Sequence, residues 1–111
     1  MLIIREEQYE AFRQQARQRF RKKMLGHLRL LFAKEWEKKS DAEILGFIDQ
    51  GVEKSLVYGL RTEYAIQRVL ELMCEVSCGF DDPDWVKKIL NSSALKERHK
   101  VDLIGDSYKA G

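Results

Sequence analysis

Between Glu6 and Ala33 the apolar residues Tyr9, Phe12, Ala16, Phe20, Met24, Leu28 and Leu31 recur every three or four positions. That step matches the 3.6-residue turn of an α-helix and places all seven on one face, with Arg, Lys, Gln and Glu on the other. A run of 28 residues in helical form is about 42 Å long at 1.5 Å per residue. The chain of 111 residues contains a single proline. These features predict an all-α protein, a compact bundle of four to five helices with a long first helix, built as one domain over residues 1–111. Leu25 and Phe32 widen the apolar face in the second half of the run, so that end is expected to be covered on two sides. The first half is expected to project, and a second copy or a partner helix could cover Tyr9, Phe12, Ala16 and Phe20.

Further helices announce themselves through their ends. Ser40-Asp41-Ala42-Glu43 matches the capping box, in which a hydroxyl and a carboxylate satisfy free backbone donors at a helix start. A second helix is therefore expected from about Asp41, with Ile44, Leu45, Ile48, Val52 and Leu56 inward and Gly59 closing its C-terminus. Gly46 and Gly51 interrupt it, through close helix approach or mere tolerance. Thr62 reads as the cap of a third helix whose broad apolar surface, Ala65 to Val76, marks it as the most buried, and Gly79 as its terminator. Asp82-Pro83 reads as cap and first-turn proline of a short helix carrying Trp85, Val86, Ile89 and Leu90. Residues from Ala94 onward form the last segment, where Gly105 and scattered charges weaken the helical pattern.

The net charge is only +2, with 34% of residues charged, but its distribution is uneven. Residues 13–39 carry ten Lys or Arg against Glu35 and Glu37, whereas residues 40–86 carry Lys54, Arg61 and Arg68 against ten acids. Pairing of the two stretches within the fold is the plain reading. The functional reading turns Arg13, Arg17, Arg19, Arg21, Lys22 and Lys23 outward, towards an acidic partner. Nucleic acid is disfavoured as that partner, because Phe12 and Phe20 lie on the core stripe and no recognised DNA-binding motif accompanies the basic run.

Catalytic and metal chemistry find little support in the residue pattern. The acid pairs Glu6/Glu10 and Glu71/Glu75 and the cluster Asp81, Asp82 and Asp84 each have an ordinary reading as a solvated face or a cap. No nucleophile elbow, phosphate-binding glycine loop or metalloprotease helix occurs. His27 reads as a packed core histidine. Cys74 and Cys78 read as buried reduced thiols on one helical face, too close in sequence for a favourable disulfide. No metal or cofactor is expected. No apolar run of about 18 residues suggests a membrane span. The first residues lack a secretory signal pattern, so a cytoplasmic location is expected.

The order Glu7-Gln8 and Phe12, His27-Leu28-Arg29 and Phe32, Ser40-Asp41, Ile48 and Gly51, Tyr58-Gly59, Glu63, Leu72-Met73, Phe80-Asp81, Pro83, Trp85 and Ile89-Leu90 spans residues 4 to 104. In this order the chain resembles a group of small uncharacterised bacterial proteins encoded near type VI secretion and polymorphic-toxin genes. That family continues with proline after Phe32. Ala33 stands here instead, which predicts a longer first helix. The resemblance implies a non-enzymatic interaction module, a co-adaptor or chaperone for a secreted toxin or effector, whose partner is that protein or its adaptor. An immunity protein that blocks a toxin's active site is the alternative, with Glu63, Glu71, Glu75, Asp81 and Asp82 mimicking nucleic acid. A nucleic-acid-binding helical protein is the second alternative. The candidate contacts are Arg13, Arg17, Arg21 and Lys22, the stripe Tyr9, Phe12 and Phe20, and the outer parts of Tyr58, Phe80 and Trp85, although Trp85 reads first as a core residue.

Overall fold

A computed structural model describes the backbone of residues 6–110 and the side chains of residues 14–110. The described residues are all-α. Six helices follow one another: α1 Glu6–Leu31, α2 Ala33–Trp36, α3 Asp41–Val57, α4 Glu63–Glu75, α5 Asp84–Leu90 and α6 Glu97–Ala110. They group into two units, residues 1–45 and 46–111. No described helix is long and apolar enough to cross a membrane. The opening residues Met1 to Arg5 lie outside the described part, as do the side chains of Tyr9, Phe12 and Arg13.

In the first unit α1 is the long helix that the periodicity predicts, with Phe20, Met24 and Leu28 buried. It stops at Leu31, two residues short of Ala33, and Leu31 is 55% exposed rather than part of the buried stripe. Phe32 leaves the helical region at φ −122°, ψ 46°, and Ala33 opens the four-residue α2, so α1 does not continue through Ala33. The corner is held by Arg29. Its Nη1 donates to the Trp36 carbonyl at 3.2 Å, its Nη2 to the Lys39 carbonyl at 3.0 Å and to Asp41 Oδ1 at 2.5 Å, and its Nε to the same carboxylate oxygen at 3.2 Å. One planar fork thus collects the loose carbonyls at the end of α2 and the first acid of α3. Ser40 caps α3 as expected, its hydroxyl accepting from the Glu43 N–H at 3.2 Å. The Glu43 carboxylate lies 4.0 Å from Lys39 Nζ.

The second unit is built around the buried residues of α4, α5 and α6, among them Val69, Leu70, Leu72, Val86, Leu90, Val101 and Ile104. α3 ends in a Schellman motif: Leu60 N–H reaches the Ser55 carbonyl at 2.9 Å, Gly59 N–H reaches Leu56 at 3.0 Å, and Gly59 takes φ +76°. This is the left-handed conformation that a side chain resists. Thr62 caps α4 through Ala65 N–H at 3.2 Å. A second cap comes from a helix remote in sequence, as Glu97 Oε1 accepts from Arg61 N–H at 2.6 Å and Thr62 N–H at 3.0 Å. Burial alone raises the Glu97 carboxyl pKa, but these donors outweigh it and hold the group below its ordinary value.

Three local expectations are corrected. α4 ends at Glu75, before Gly79, so Cys78 falls in the following turn, exposed, while Cys74 is half-buried; the two cysteines form no disulfide and share no helical face. Pro83 is itself the cap residue of α5, with extended ψ of 143°, and its carbonyl accepts from Val86 and Lys87. The six helices exceed the four to five expected because the chain breaks at Phe32. Gly105 is also explained: it lies within α6 where a Cβ would collide with the Arg68 guanidinium, which pairs with the buried Glu71.

The two glycines of α3 differ in the same way. A Cβ at Gly51 would collide with the buried Leu70 side chain, whereas at Gly46 it would meet nothing within 4 Å. Gly51→Ala should therefore cost about 1–3 kcal/mol through overpacking, and Gly46→Ala should gain about 0.5–1 kcal/mol of helix propensity. Urea denaturation of the two variants checks the opposite signs. Arg29→Ala should lower stability by about 1–3 kcal/mol, the worth of hydrogen bonds to a charged group. Arg29→Lys should recover less than half of it, since one ammonium cannot span two carbonyls and a carboxylate.

Candidate functional site

A convergence of polar and aromatic side chains in the second unit centres on Asp81, in the turn between α4 and α5. Lys54 and Tyr58 stand four residues apart at the end of α3, which places them on neighbouring turns of one face. Lys54 Nζ donates to Asp81 Oδ1 at 2.5 Å and the Tyr58 hydroxyl donates to Oδ2 at 2.7 Å. Each carboxylate oxygen therefore receives one donor. Lys54 Nζ also lies 5.9 Å from the centre of the Phe80 ring, a cation–π contact. Phe80 is buried, and its carbonyl accepts the Tyr108 hydroxyl at 2.5 Å. Tyr108 in turn packs against Trp85, with ring centres 5.0 Å apart and planes inclined by 55°. The turn has its own bonds, from Phe80 N–H to the Ser77 carbonyl and from Asp82 N–H to the Gly79 carbonyl.

Titration behaviour follows from this geometry. Burial would raise the Asp81 carboxyl pKa, but the Lys54 and Tyr58 donors and a backbone bond outweigh it and hold it below the ordinary range. Tyr58 is pushed up to about 12, by burial first and then by the bond it gives to Asp81. Burial also raises Tyr108, with Asp81 and Asp82 adding to the effect. Asp81 is thus held ionised and Tyr58 held neutral. Both are displaced away from the neutral range in which a general acid or base works. As arranged, the cluster fastens a turn and supports an aromatic surface. Trp85, which reads first as a core residue, is 40% exposed; its neighbour Tyr108 is half-buried, as is Tyr58.

Comparisons of this chain with protein-family models, with curated proteins and with solved structures find no match.

Of the contacts expected from sequence, Tyr58, Phe80 and Trp85 are brought together here, but Phe80 lies beneath the surface and is no contact for a partner. Phe20 is likewise buried within the chain rather than on a projecting stripe. Tyr9, Phe12 and Arg13 fall outside the described side chains. On α1, Lys22 is exposed, Arg21 is half-buried with its guanidinium bonded to Gln18 Oε1 at 3.0 Å, and Arg17 is exposed but in helical register with Met24 and Leu28. His27 is half-buried. Among the described residues, no three of His, Cys, Asp or Glu gather in a way that could hold a metal ion. Lys54 and Tyr108 escape sequence reasoning. The four-residue spacing of Lys54 and Tyr58 is the signal that could have paired the first with Asp81, but nothing local points from Tyr108 to Phe80.

Because the Asp81 pKa is lowered in the folded chain, its pairing stabilises the fold above the ordinary aspartate pKa, near 3.9, and that contribution fades as pH falls through the lower folded value. Asp81→Asn should weaken the fold at neutral pH and flatten the acid limb of the stability profile below about pH 4. Denaturant midpoints measured across pH for both forms give the comparison; parallel profiles would contradict this account. Tyr58→Phe should move the Asp81 carboxyl resonance to higher pH in an NMR titration.

Proposed function

We propose that the protein is a non-enzymatic helical interaction module that recognises another protein through the aromatic surface over Asp81, with Trp85 at its centre. The observation that carries this reading is that Trp85 is exposed yet fixed. Its ring rests on Tyr108, Tyr108 is tied to the Phe80 carbonyl, and the turn is tied to α3 through Asp81. Binding energy concentrates in Trp and Tyr side chains at such positions, and little ordering entropy is lost when they are already held. The resemblance read from the sequence gives the partner's class: a secreted bacterial effector or its adaptor, met in the cytoplasm, with this chain as co-adaptor or chaperone. A neutralising role through nucleic-acid mimicry has less support. Glu71 and Asp81 are buried in pairs with Arg68 and Lys54, which leaves Glu63, Glu75 and Asp82 as the exposed members of that set.

Expression of the tagged full-length chain beside the native secretion genes, followed by crosslinking, should recover an effector, adaptor or spike component. Trp85→Ala should weaken that complex by about 2 kcal/mol or more, the hot-spot range and about thirtyfold in Kd, while helical circular dichroism is unchanged. Deletion of the gene should leave cells healthy but unable to secrete the effector. Growth arrest on deletion, relieved by removing the toxin, would instead establish the neutralising role.

A further inference from the structure

The first unit carries a surface of opposite character. No Asp or Glu occurs between Glu10 and Glu35, so the described side chains of α1 include no carboxylate. On the helix, Gln15, Arg19, Lys22, Lys23 and Gly26 fall within one side by their three- and four-residue spacing, opposite to the buried Phe20, Met24 and Leu28. All five are exposed, and beyond Gly26 there is open space for 4 Å where a side chain would begin. Gln18 borders the same side and is exposed as well. From Gln14 to Lys23 the exposed positions hold only Gln, Arg and Lys; the nearest exposed apolar side chain along this face is Leu30, a further two turns on.

We infer that this face of α1 binds the phosphate backbone of duplex DNA without regard to sequence. A protein partner would need an apolar centre to the contact, and lysine is depleted from such centres. A single-stranded nucleic acid would need exposed aromatic rings for its bases to stack on. From Gln14 to Lys23 the described side chains offer cations and amide donors and neither feature, which matches a backbone-contacting surface, where Arg, Lys and Gln position the duplex and no base is read. The burial of Phe20, which disfavours nucleic acid when single strands are considered, is no obstacle to a duplex. This surface is separate in sequence and residues from the one proposed for the protein partner, so each stands or falls alone.

Fluorescence anisotropy of a labelled duplex of about 20 base pairs with the full chain tests it. Non-specific binding should fall in the range of about 10⁻⁴ to 10⁻⁶ M. With three phosphates neutralised by Arg19, Lys22 and Lys23, affinity should fall about fortyfold between roughly 50 and 200 mM salt. An unrelated duplex sequence should bind equally. The combined Arg19→Glu, Lys22→Glu, Lys23→Glu variant should lose at least tenfold in affinity and most of its salt dependence. The Lys87→Glu, Lys88→Glu variant on α5, checked for equal helicity, should bind as the parent does. Failure to bind at low salt, unchanged binding by the α1 variant, tighter binding of the single strand, or equal binding of poly-glutamate would overturn the inference. The last result would assign the face to an acidic protein.

Discussion

A carboxylate out of water is costly unless both of its oxygens find donors, and removing one partner of such a pair exposes the fold to a penalty of several kcal/mol. Asp81 meets that condition through two side chains four residues apart, Lys54 in the last turn of α3 and Tyr58 just past its end, an ammonium on one oxygen and a phenol on the other. The consequence extends beyond the pair. With Asp81 fixed, the turn that carries it is fixed, Phe80 is seated in the core, and its carbonyl is aimed at Tyr108 on α6. Trp85, at the start of α5, then has a ring to rest on.

The same device recurs at smaller scale. Glu97 reaches from α6 to the N–H groups of Arg61 and Thr62 just before α4, and Arg29 reaches from α1 to the last carbonyls around α2. In each case a long charged side chain from another element satisfies backbone groups that a helix end leaves open. Short helices such as α2 and α5 cannot be sustained by propensity alone. Arg29 Nη1 holds the end of α2 at the Trp36 carbonyl, and Lys100 Nζ donates to the Leu90 carbonyl at the end of α5 at 3.0 Å.

Burial also sorts the surface into two kinds. The second unit keeps Glu71 and Asp81 inside paired sites and presents aromatic rings. The first unit presents cations on a helix whose apolar stripe is turned inward. The proposed protein contact and the inferred phosphate contact follow from this sorting, and they draw on different physics: desolvation of a preformed aromatic surface in one, counterion release in the other.

The helices were legible because the spacing of apolar residues and the chemistry of caps act over a few residues. The stripe of Phe20, Met24 and Leu28, the hydroxyl of Ser40, the cap at Thr62 and the left-handed Gly59 are all local facts, and each is found in its expected role. The sequence by itself therefore determined the all-helical class and most helix starts. It placed Tyr58, Phe80 and Trp85 among the candidates but could not say which lay above the surface and which below. Only the tertiary structure decided that Phe32 breaks the first helix, that Gly51 is required by Leu70 while Gly46 is not, and that Lys54 and Tyr108 complete the cluster. Those outcomes depend on contacts between residues up to 28 positions apart, and no local pattern encodes which donor a buried acceptor will meet.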